Sequence, residues 1–194
     1  MLRVIFFAIM ACKVVIKLFN ELQFLTGDYG WQELWRYIMR VAILTANTAI
    51  YKETEEDKGG KAIKKMVEKA GEQVVFMKAV PNDRKVLSTI MQRMADGNVA
   101  DLILTTGGAG CGPEDCTPEA TMDVADRPVL GIPEAMRAYM MSLTKRSMLN
   151  RCAAGIKGET LIVNLPGKEG AVKAALEYLL PEIQHAVEVI KGEV

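Results

Sequence analysis

This 194-residue sequence contains few histidines and cysteines, and neither sign of charge is in excess. His185 is the one histidine, and no two of the four cysteines have Cys-x-x-Cys spacing, so the sequence argues against a zinc site. Lysine and arginine together number 24, as do aspartate and glutamate, so we expect neither nucleic acid nor a membrane as partner. An anionic ligand must be held locally, by backbone donors and by geometry.

Long hydrophobic runs are also missing, and the first 38 residues differ in character from the rest of the chain. Their apolar run, residues 4–12, is too short for a membrane span. Arg3 precedes this run as in a signal peptide, but no small-x-small cleavage site comes after it. Met39 then opens a strand-like apolar run. We predict that residues 1–38 lie outside the domain of residues 39–194, as an over-extended start; an amphipathic extension that docks on the surface or mediates assembly is the alternative.

From Met39 onward, apolar runs alternate with stretches of helical periodicity. Continuous apolar runs indicate strands buried on both faces, and strands separated by single helices require a mostly parallel sheet. The sequence therefore predicts an α/β fold of three layers, with a mostly parallel sheet and helices on both faces. The predicted strands are residues 41–44, 74–77, 101–105 and 161–165. The predicted helices are residues 58–70, 81–95 and about 169–180, with a last helix that Pro181 starts.

The third predicted strand runs directly into a glycine-rich loop. Four of the six residues from Gly107 to Gly112 are glycine, so the backbone can turn with positive φ and expose its N–H groups to an anion. Thr117 is predicted as the N-cap of a helix with Pro118 at its first position, which directs a helix N-terminus to the same place. Because ligands bind at the carboxyl ends of parallel strands, residues 101–121 predict a site for an anionic, phosphorylated small molecule.

Two familiar phosphate motifs do not describe this loop. No Gly-Lys-Ser/Thr comes after it, as a Walker A loop requires, and its spacing and its place on a late strand differ from the Rossmann fingerprint. Cys111 and Cys116 lie in the same stretch. Small side chains that fit a tight loop in a reducing cytosol explain both, and a redox-sensitive pair beside the site is the alternative.

Five stretches, in order and spacing, resemble the molybdopterin-binding family that includes the MogA and MoaB proteins and the molybdopterin-handling domains of gephyrin and Cnx. The resemblance covers essentially Met39–Val194, and five ordered matches are far more specific than any one of them. In chain order they are Asp57-Lys58-Gly59-Gly60 at the start of the first helix, Val80-Pro81-Asn82-Asp83 at a turn, Thr105-Thr106-Gly107-Gly108-Ala109-Gly110 followed by Asp115 and Thr117-Pro118-Glu119-Ala120-Thr121, Ala153-Ala154-Gly155-Ile156 at a turn, and Asn164-Leu165-Pro166-Gly167 at a loop.

The resemblance implies a reaction, the transfer of AMP from ATP to the terminal phosphate of molybdopterin with release of pyrophosphate and with Mg²⁺ as cofactor. It implies that Asp115 is the essential carboxylate and a ligand of Mg²⁺, which prefers hard oxygen atoms. Asp83 is a second catalytic candidate, which could take the place of the acidic residue missing at Asn82 if the loop shifts by one residue; a charge in the first turn of the helix that starts at Pro81 is the equal alternative. The nucleophile is the substrate's own phosphate, so positioning and charge stabilisation matter more than a strong base. The residues expected to bind substrate or nucleotide are Asn82, Thr106, Gly107, Gly108, Ala109, Gly110, Arg151, Pro166 and Gly167.

The resemblance also implies partners and a location. It predicts a cytoplasmic homotrimer that binds molybdopterin and ATP, with the molybdenum-insertion protein as a further partner.

The sequence departs from the family pattern near the expected metal. The family commonly has Ser-Asp-Arg after its first strand, where this chain has Asn47-Thr48-Ala49, so a carboxylate and a guanidinium are missing. Asn82 stands at the first of two acidic positions, Ala109 replaces a usual threonine, and Lys168-Glu169-Gly170 replaces a small residue and proline. Two hypotheses result. One is a working molybdopterin adenylyltransferase, which retention of Asp115 favours; the other is a binding or scaffold protein of the same fold without efficient transfer.

Overall fold

Six strands form one sheet in the computed structural model, which describes residues 38–192. The strands are β1 (Arg40–Ala46), β2 (Gln73–Val80), β3 (Leu102–Thr106), β4 (Arg127–Pro128), β5 (Ala154–Lys157) and β6 (Thr160–Leu165). They all belong to the unit that begins at Met39. The prediction that residues 1–38 form an extension concerns a segment that, apart from Ile38, lies outside the described part of the chain.

The order of strands across the sheet is β2-β1-β3-β6-β5-β4. The four strands β2, β1, β3 and β6 run parallel, while β5 pairs antiparallel with β6 and β4 pairs antiparallel with β5. The prediction of a mostly parallel sheet is therefore confirmed. Because parallel strands end at the same edge, the segments that come after β1, β2, β3 and β6 are brought together there.

Helices cover both faces of the sheet, as predicted. They are α1 (Thr48–Tyr51), α2 (Lys58–Lys69), α3 (Arg84–Asp96), α4 (Thr117–Val124), α5 (Gly131–Leu143) and α6 (Glu169–Lys191), with a 3₁₀ helix at Lys145–Leu149. Alternate residues of β1 point to opposite faces: Val41 and Ile43 pack with α2, α5 and α6, whereas Ala42 and Leu44 pack with α3 and α4. The two hydrophobic cores account for the continuous apolar runs in the strands.

The C-terminal region differs from the prediction, because Pro181 lies inside one continuous helix rather than at the start of a new one. Proline cannot donate to the carbonyl four residues earlier, but Pro181 and Glu177 are both on the exposed side of α6, where water can take the place of the missing donor. Leu176, Leu180 and Ile183 pack into the core on either side of the proline and keep the helix in register. Among the described residues, no helix is both long and apolar enough to cross a membrane.

Two further predictions of local structure are corrected by the sheet. Residues 153–156 were expected to form a turn, but Ala154–Lys157 is strand β5, whose pairing with β6 and β4 gives it a sheet environment that local sequence does not reveal. The helix predicted at residues 81–95 begins at Arg84, because the Asp83 side chain accepts a hydrogen bond from Val86 N–H and caps it there.

Candidate functional site

A cleft of about 600 Å³ opens at the carboxyl edge of the parallel strands. Residues 107–110 of the glycine loop, Asp115, and Pro166 and Gly167 after β6 all line it. The structure therefore brings together residues from two predicted motifs that are far apart in the sequence.

Gly107 and Gly108 fix the path of the glycine loop. Their φ angles are +88° and +61°, which residues with a side chain rarely adopt. A Cβ atom at Gly107 would lie 2.5 Å from the carbonyl oxygen of Ala46, and one at Gly108 would overlap the hydroxyl of Thr117. The loop therefore packs directly against the end of β1 and the start of α4, and both positions require glycine.

Thr117 joins the glycine loop to α4. Its N–H donates to the carbonyl of Gly108 at 2.9 Å, and its hydroxyl donates to the carbonyl of Gly107 at 3.0 Å. Thr117 is the first residue of the helix and Cys116 is the N-cap, so the prediction of Thr117 as N-cap is wrong by one residue. The hydroxyl of Thr117 is hydrogen-bonded to the loop and therefore does not cap the helix. The N-terminus of α4 still lies beside the loop.

Asp115 folds back over the glycine loop. Its Oδ2 accepts a hydrogen bond from the N–H of Gly112 at 2.9 Å and lies 2.8 Å from where a Cβ atom at Gly110 would stand. The side chain is half-buried, and it is the one carboxylate from the described residues that lines the cleft. A side chain at Gly110 would displace this carboxylate, so glycine is needed there to keep Asp115 in position.

Arg151 binds the same loop from the other side. Its Nε donates to the carbonyl of Gly110 at 2.5 Å, its Nη2 donates to the carbonyl of Asp115 at 2.7 Å, and its Nη1 is paired with Glu119 on α4. Burial alone would raise the pKa of Glu119, but hydrogen bonds from its own N–H and from Arg151 lower the pKa below the ordinary 4.5. Direct contact of Arg151 with a substrate phosphate stays a prediction.

Thr106 connects the glycine loop to the segment after β6. Its hydroxyl donates to the carbonyl of Pro166 at 2.7 Å, and the residue is 1% exposed. A Cβ atom at Gly167 would lie 3.3 Å from Cα of Gly107, so the two segments touch. The hydroxyl of Thr106, which was expected to bind substrate, is therefore already hydrogen-bonded within the protein. The cleft lining next to it consists of backbone atoms.

A second pocket, of about 410 Å³, is lined by Asn47-Thr48-Ala49 and by Asn82, two of the places at which the sequence departs from the family pattern. Asn47 caps α1 by accepting hydrogen bonds from the N–H groups of Ala49 and Ile50, and Asn82 lies across the pocket from it. Oδ1 of Asn82 is buried and finds no partner among the described residues; it lies 3.3 Å from where a Cβ atom at Gly108 would stand. This pocket therefore adjoins the glycine loop.

Asp83, the other predicted catalytic residue, lies away from the cleft lining. Its side chain is exposed at the N-terminus of α3, where it accepts the hydrogen bond from Val86. Asp57, from the first of the five family-like stretches, is half-buried: it accepts from the hydroxyl of Thr45 and from the N–H of Gly60, both at 2.7 Å. Both aspartates begin helices at the carboxyl edge of the sheet.

The cysteines of the loop differ in their surroundings. Cys111 is exposed at the cleft, and its Sγ donates to the carbonyl of Leu149 at 3.3 Å. Burial raises the pKa of the Cys116 thiol, and the carboxylates of Asp83 and Glu119 raise it further. Because the thiolate is the reactive form, these surroundings oppose a redox role for Cys116.

Sequence reasoning missed one wall of the cleft. Met140 at the end of α5 and Arg146, Ser147 and Leu149 of the 3₁₀ helix line it, as does Lys168 after the Leu-Pro-Gly loop. Lys168 could have been found, because it is the residue that replaces the small residue of the family pattern. The residues of α5 and the 3₁₀ helix carry no motif, and only the fold places them at the site.

The donor set of the cleft restricts the metals it can bind. The described residues contain no group of three or more His, Cys, Asp or Glu placed to hold a metal ion. Mg²⁺ does not need such a group, because proteins bind it through one or two carboxylates together with waters and substrate phosphates. Asp115 beside backbone donors for phosphate therefore fits Mg²⁺ and does not fit zinc.

Known proteins with similar sequences identify the family of this chain. Residues 42–185 match the family described as "Probable molybdopterin binding domain". A protein named molybdopterin adenylyltransferase from Helicobacter pylori is 32% identical over 156 residues, which cover 79% of this chain and 89% of that protein. The chain contains the glycine loop, the aspartate after it and the fold that the resemblance implies.

Solved structures give the same result. The molybdopterin biosynthesis enzyme MoaB from Thermus thermophilus is 35% identical with a TM-score of 0.75, over 80% of this chain and 98% of that one. The Mog protein from Mycobacterium ulcerans is 32% identical with a TM-score of 0.74, again over 80% and 98%. Fold and sequence agree, and this chain belongs to the molybdopterin-binding domain family.

Proposed function

We propose that this protein is a molybdopterin adenylyltransferase that acts in molybdenum cofactor biosynthesis, transferring AMP from ATP to the phosphate of molybdopterin. The observation that carries the proposal is the Asp115 carboxylate held over a glycine loop whose two positive-φ residues line a cleft. The name of the Helicobacter pylori relative, molybdopterin adenylyltransferase, supports the same reaction.

The reaction needs charge stabilisation more than proton transfer. An oxygen of the pterin phosphate attacks the α-phosphorus of ATP, a new P–O bond forms, and the bond to the bridging oxygen of the β-phosphate breaks, so pyrophosphate leaves with that electron pair. The N–H groups of the glycine loop and the N-terminus of α4 favour anionic oxygens at this edge of the sheet. No histidine is required, since the nucleophile is already ionised at neutral pH.

Asp115 is the residue that would hold Mg²⁺. When bound there together with phosphate oxygens, the ion would supply positive charge that offsets the charge of the phosphates. Asp115 itself supplies a fixed carboxylate: its Oδ2 is held by Gly112 N–H at 2.9 Å, so it does not depend on the ligand for its position.

A second function, binding without efficient transfer, is favoured by the pocket next to the glycine loop. Thr48 and Asn82 stand there in place of acidic residues, and neither a hydroxyl nor an amide can supply the negative charge that a carboxylate gives to a bound cation. The amide oxygen of Asn47 is moreover taken up by the N-terminus of α1. A scaffold protein that holds molybdopterin or a nucleotide would need only the cleft.

One assay separates the two functions. Purified protein is incubated with molybdopterin, ATP and Mg²⁺, and adenylylated pterin is measured for the wild type, for Asp115→Asn and for the control Asp96→Asn, an exposed carboxylate at the far end of α3. We expect Asp115→Asn to lose about 100-fold or more in kcat, as removal of one charge-stabilising group does, and Asp96→Asn to match the wild type. Wild-type protein that binds molybdopterin but forms no product would leave the scaffold function in place.

The finer expectations from the family are proposals of the same kind. We propose ATP and molybdopterin as substrates, Mg²⁺ as cofactor, a homotrimer as the assembly, the molybdenum-insertion protein as a partner and the cytoplasm as the location. The free thiols of Cys111, Cys116 and Cys152 are compatible with a reducing compartment.

A further inference from the structure

The guanidinium of Arg151 holds both ends of the loop of residues 110–115. Nε donates to the carbonyl of Gly110 at 2.5 Å and Nη2 donates to the carbonyl of Asp115 at 2.7 Å. The backbone N–H of Arg151 also donates to the carbonyl of Ala109 at 2.9 Å. One residue near β5 thus makes three contacts with the glycine loop and with Asp115, the residue proposed to hold Mg²⁺.

Glu119 fixes the guanidinium in turn. Its Oε1 accepts from Nη1 of Arg151, while its Oε2 is buried and finds no partner among the described residues. Glu119 lies in the first turn of α4, a helix that is itself joined to the loop through Thr117. Because a guanidinium is planar and its donors have fixed directions, a carboxylate on one side determines where the remaining N–H groups point.

These contacts leave little of Arg151 for a ligand. All three of its side-chain nitrogens donate to protein atoms, and a carboxylate offsets its charge. The cations that line the cleft are Arg146 and Lys168, which are exposed and form no ion pair among the described residues. Substrate anions in the cleft therefore meet Arg146 and Lys168 more readily than Arg151.

We propose that Arg151, held by Glu119, is a positioning residue that sets where the Asp115 carboxylate and the Gly110 backbone stand, rather than a ligand of the substrate phosphate. The inference rests on the proposed adenylyl transfer for its kinetic consequence. A misplacement of about 1 Å in a reacting group costs up to about 100-fold in rate, so a change in this pair acts on kcat. It leaves KM for molybdopterin unaltered, because neither Arg151 nor Glu119 lines the cleft.

The test compares Arg151→Lys and Glu119→Gln with Arg84→Lys and Asp123→Asn. Arg84 and Asp123 form a matched control, since Nε and Nη2 of Arg84 donate to both oxygens of an exposed carboxylate on the same helix α4. We expect both clamp variants, Arg151→Lys and Glu119→Gln, to lower kcat about 10- to 100-fold with unchanged KM for molybdopterin, and both control variants to behave as wild type.

A second readout does not need turnover. Amide hydrogen exchange of peptides covering residues 107–116 should become faster in Arg151→Lys and Glu119→Gln, while exchange in β1 and β3 stays as in the wild type. The control variants should leave both regions unchanged. If the wild type forms no adenylylated product, the adenylyl-transfer proposal fails, and the exchange measurement still decides the positioning role.

Two results would overturn the inference. One is a rise of more than about tenfold in KM or in the dissociation constant for molybdopterin in Arg151→Lys, with none in Glu119→Gln, because this pattern belongs to a direct ligand of phosphate. The other is unchanged exchange of residues 107–116 in both clamp variants, which would show that the pair does not hold the loop.

Discussion

Substitution of Gly107 by alanine tests how the glycine loop is fixed. The new Cβ atom would stand 2.5 Å from the carbonyl oxygen of Ala46, at the buried end of β1, and the backbone would keep a φ of +88°. Two costs are therefore combined: the left-handed conformation, about 1–2 kcal/mol, and the overlap with a backbone atom that cannot rotate away, about 1–3 kcal/mol.

Gly71 provides the control that separates the two costs. Its φ is +87°, and a Cβ atom there would meet nothing within 4 Å. Gly71→Ala carries the same conformational cost and the same gain from a stiffer unfolded chain. We therefore expect Gly107→Ala to be less stable than Gly71→Ala by about 1–3 kcal/mol, which for a chain of this size is a difference of roughly 2–12 °C in Tm.

Urea unfolding monitored by far-ultraviolet circular dichroism measures this difference. The midpoint should fall further in Gly107→Ala than in Gly71→Ala at an unchanged m-value, because the surface exposed on unfolding stays the same. Equal midpoints for the two variants would refute the reasoning, since they would show that the loop can move away from β1 at no cost.

Two further predictions concern buried polar side chains. Asp101, 2% exposed, accepts from Arg40 N–H at 2.7 Å and pairs with Lys191 at 3.1 Å, so Asp101→Asn should lower the free energy of unfolding by about 2–3 kcal/mol in urea unfolding. Burial alone would raise the pKa of Asp101, but hydrogen bonds from Arg40 and Lys191 lower it below the ordinary 3.8. Its contribution is therefore present above about pH 4 and is lost as the pH falls through the folded-state pKa, and a wild-type-to-variant difference that persists unchanged at about pH 2 would contradict the pairing. Asn164, fully buried, donates to two threonine hydroxyls and accepts from Ala153 N–H, so Asn164→Ala should cost about 3 kcal/mol in thermal unfolding; wild-type stability would show that these bonds contribute nothing.

The parallel core of the fold could be predicted because its signal is local. Residues 41–44, 101–105 and 161–165 are apolar runs without alternation, and a strand buried between two helical layers needs nothing else. The glycine loop was also visible, since a cluster of glycines favours a backbone with positive φ whatever the tertiary context. Its assignment to molybdopterin came from the resemblance of five motifs and not from these patterns.

The features that could not be predicted depend on contacts between distant segments. Local rules predict that Pro181 starts a new helix, but α6 packs on the core and continues past the proline. Local sequence predicts a turn where strand β5 lies, and the strand depends on pairing with β6 and β4. Arg151 contacts Gly110, Asp115 and Glu119, which lie 32 to 41 residues before it in the sequence, and no local pattern reveals these contacts.

The hydroxyl of Thr106 has a consequence for how the protein matures. Thr106 and Pro166 are separated by 60 residues, and their hydrogen bond holds the loops after β3 and β6 against each other. A contact of such long sequence separation requires closure of a long chain segment, which costs conformational entropy before the contact can form. A chain emerging from the ribosome therefore has no competent cleft until the residues of β6 and its loop are available, and binding of ligand reports that the whole sheet has assembled.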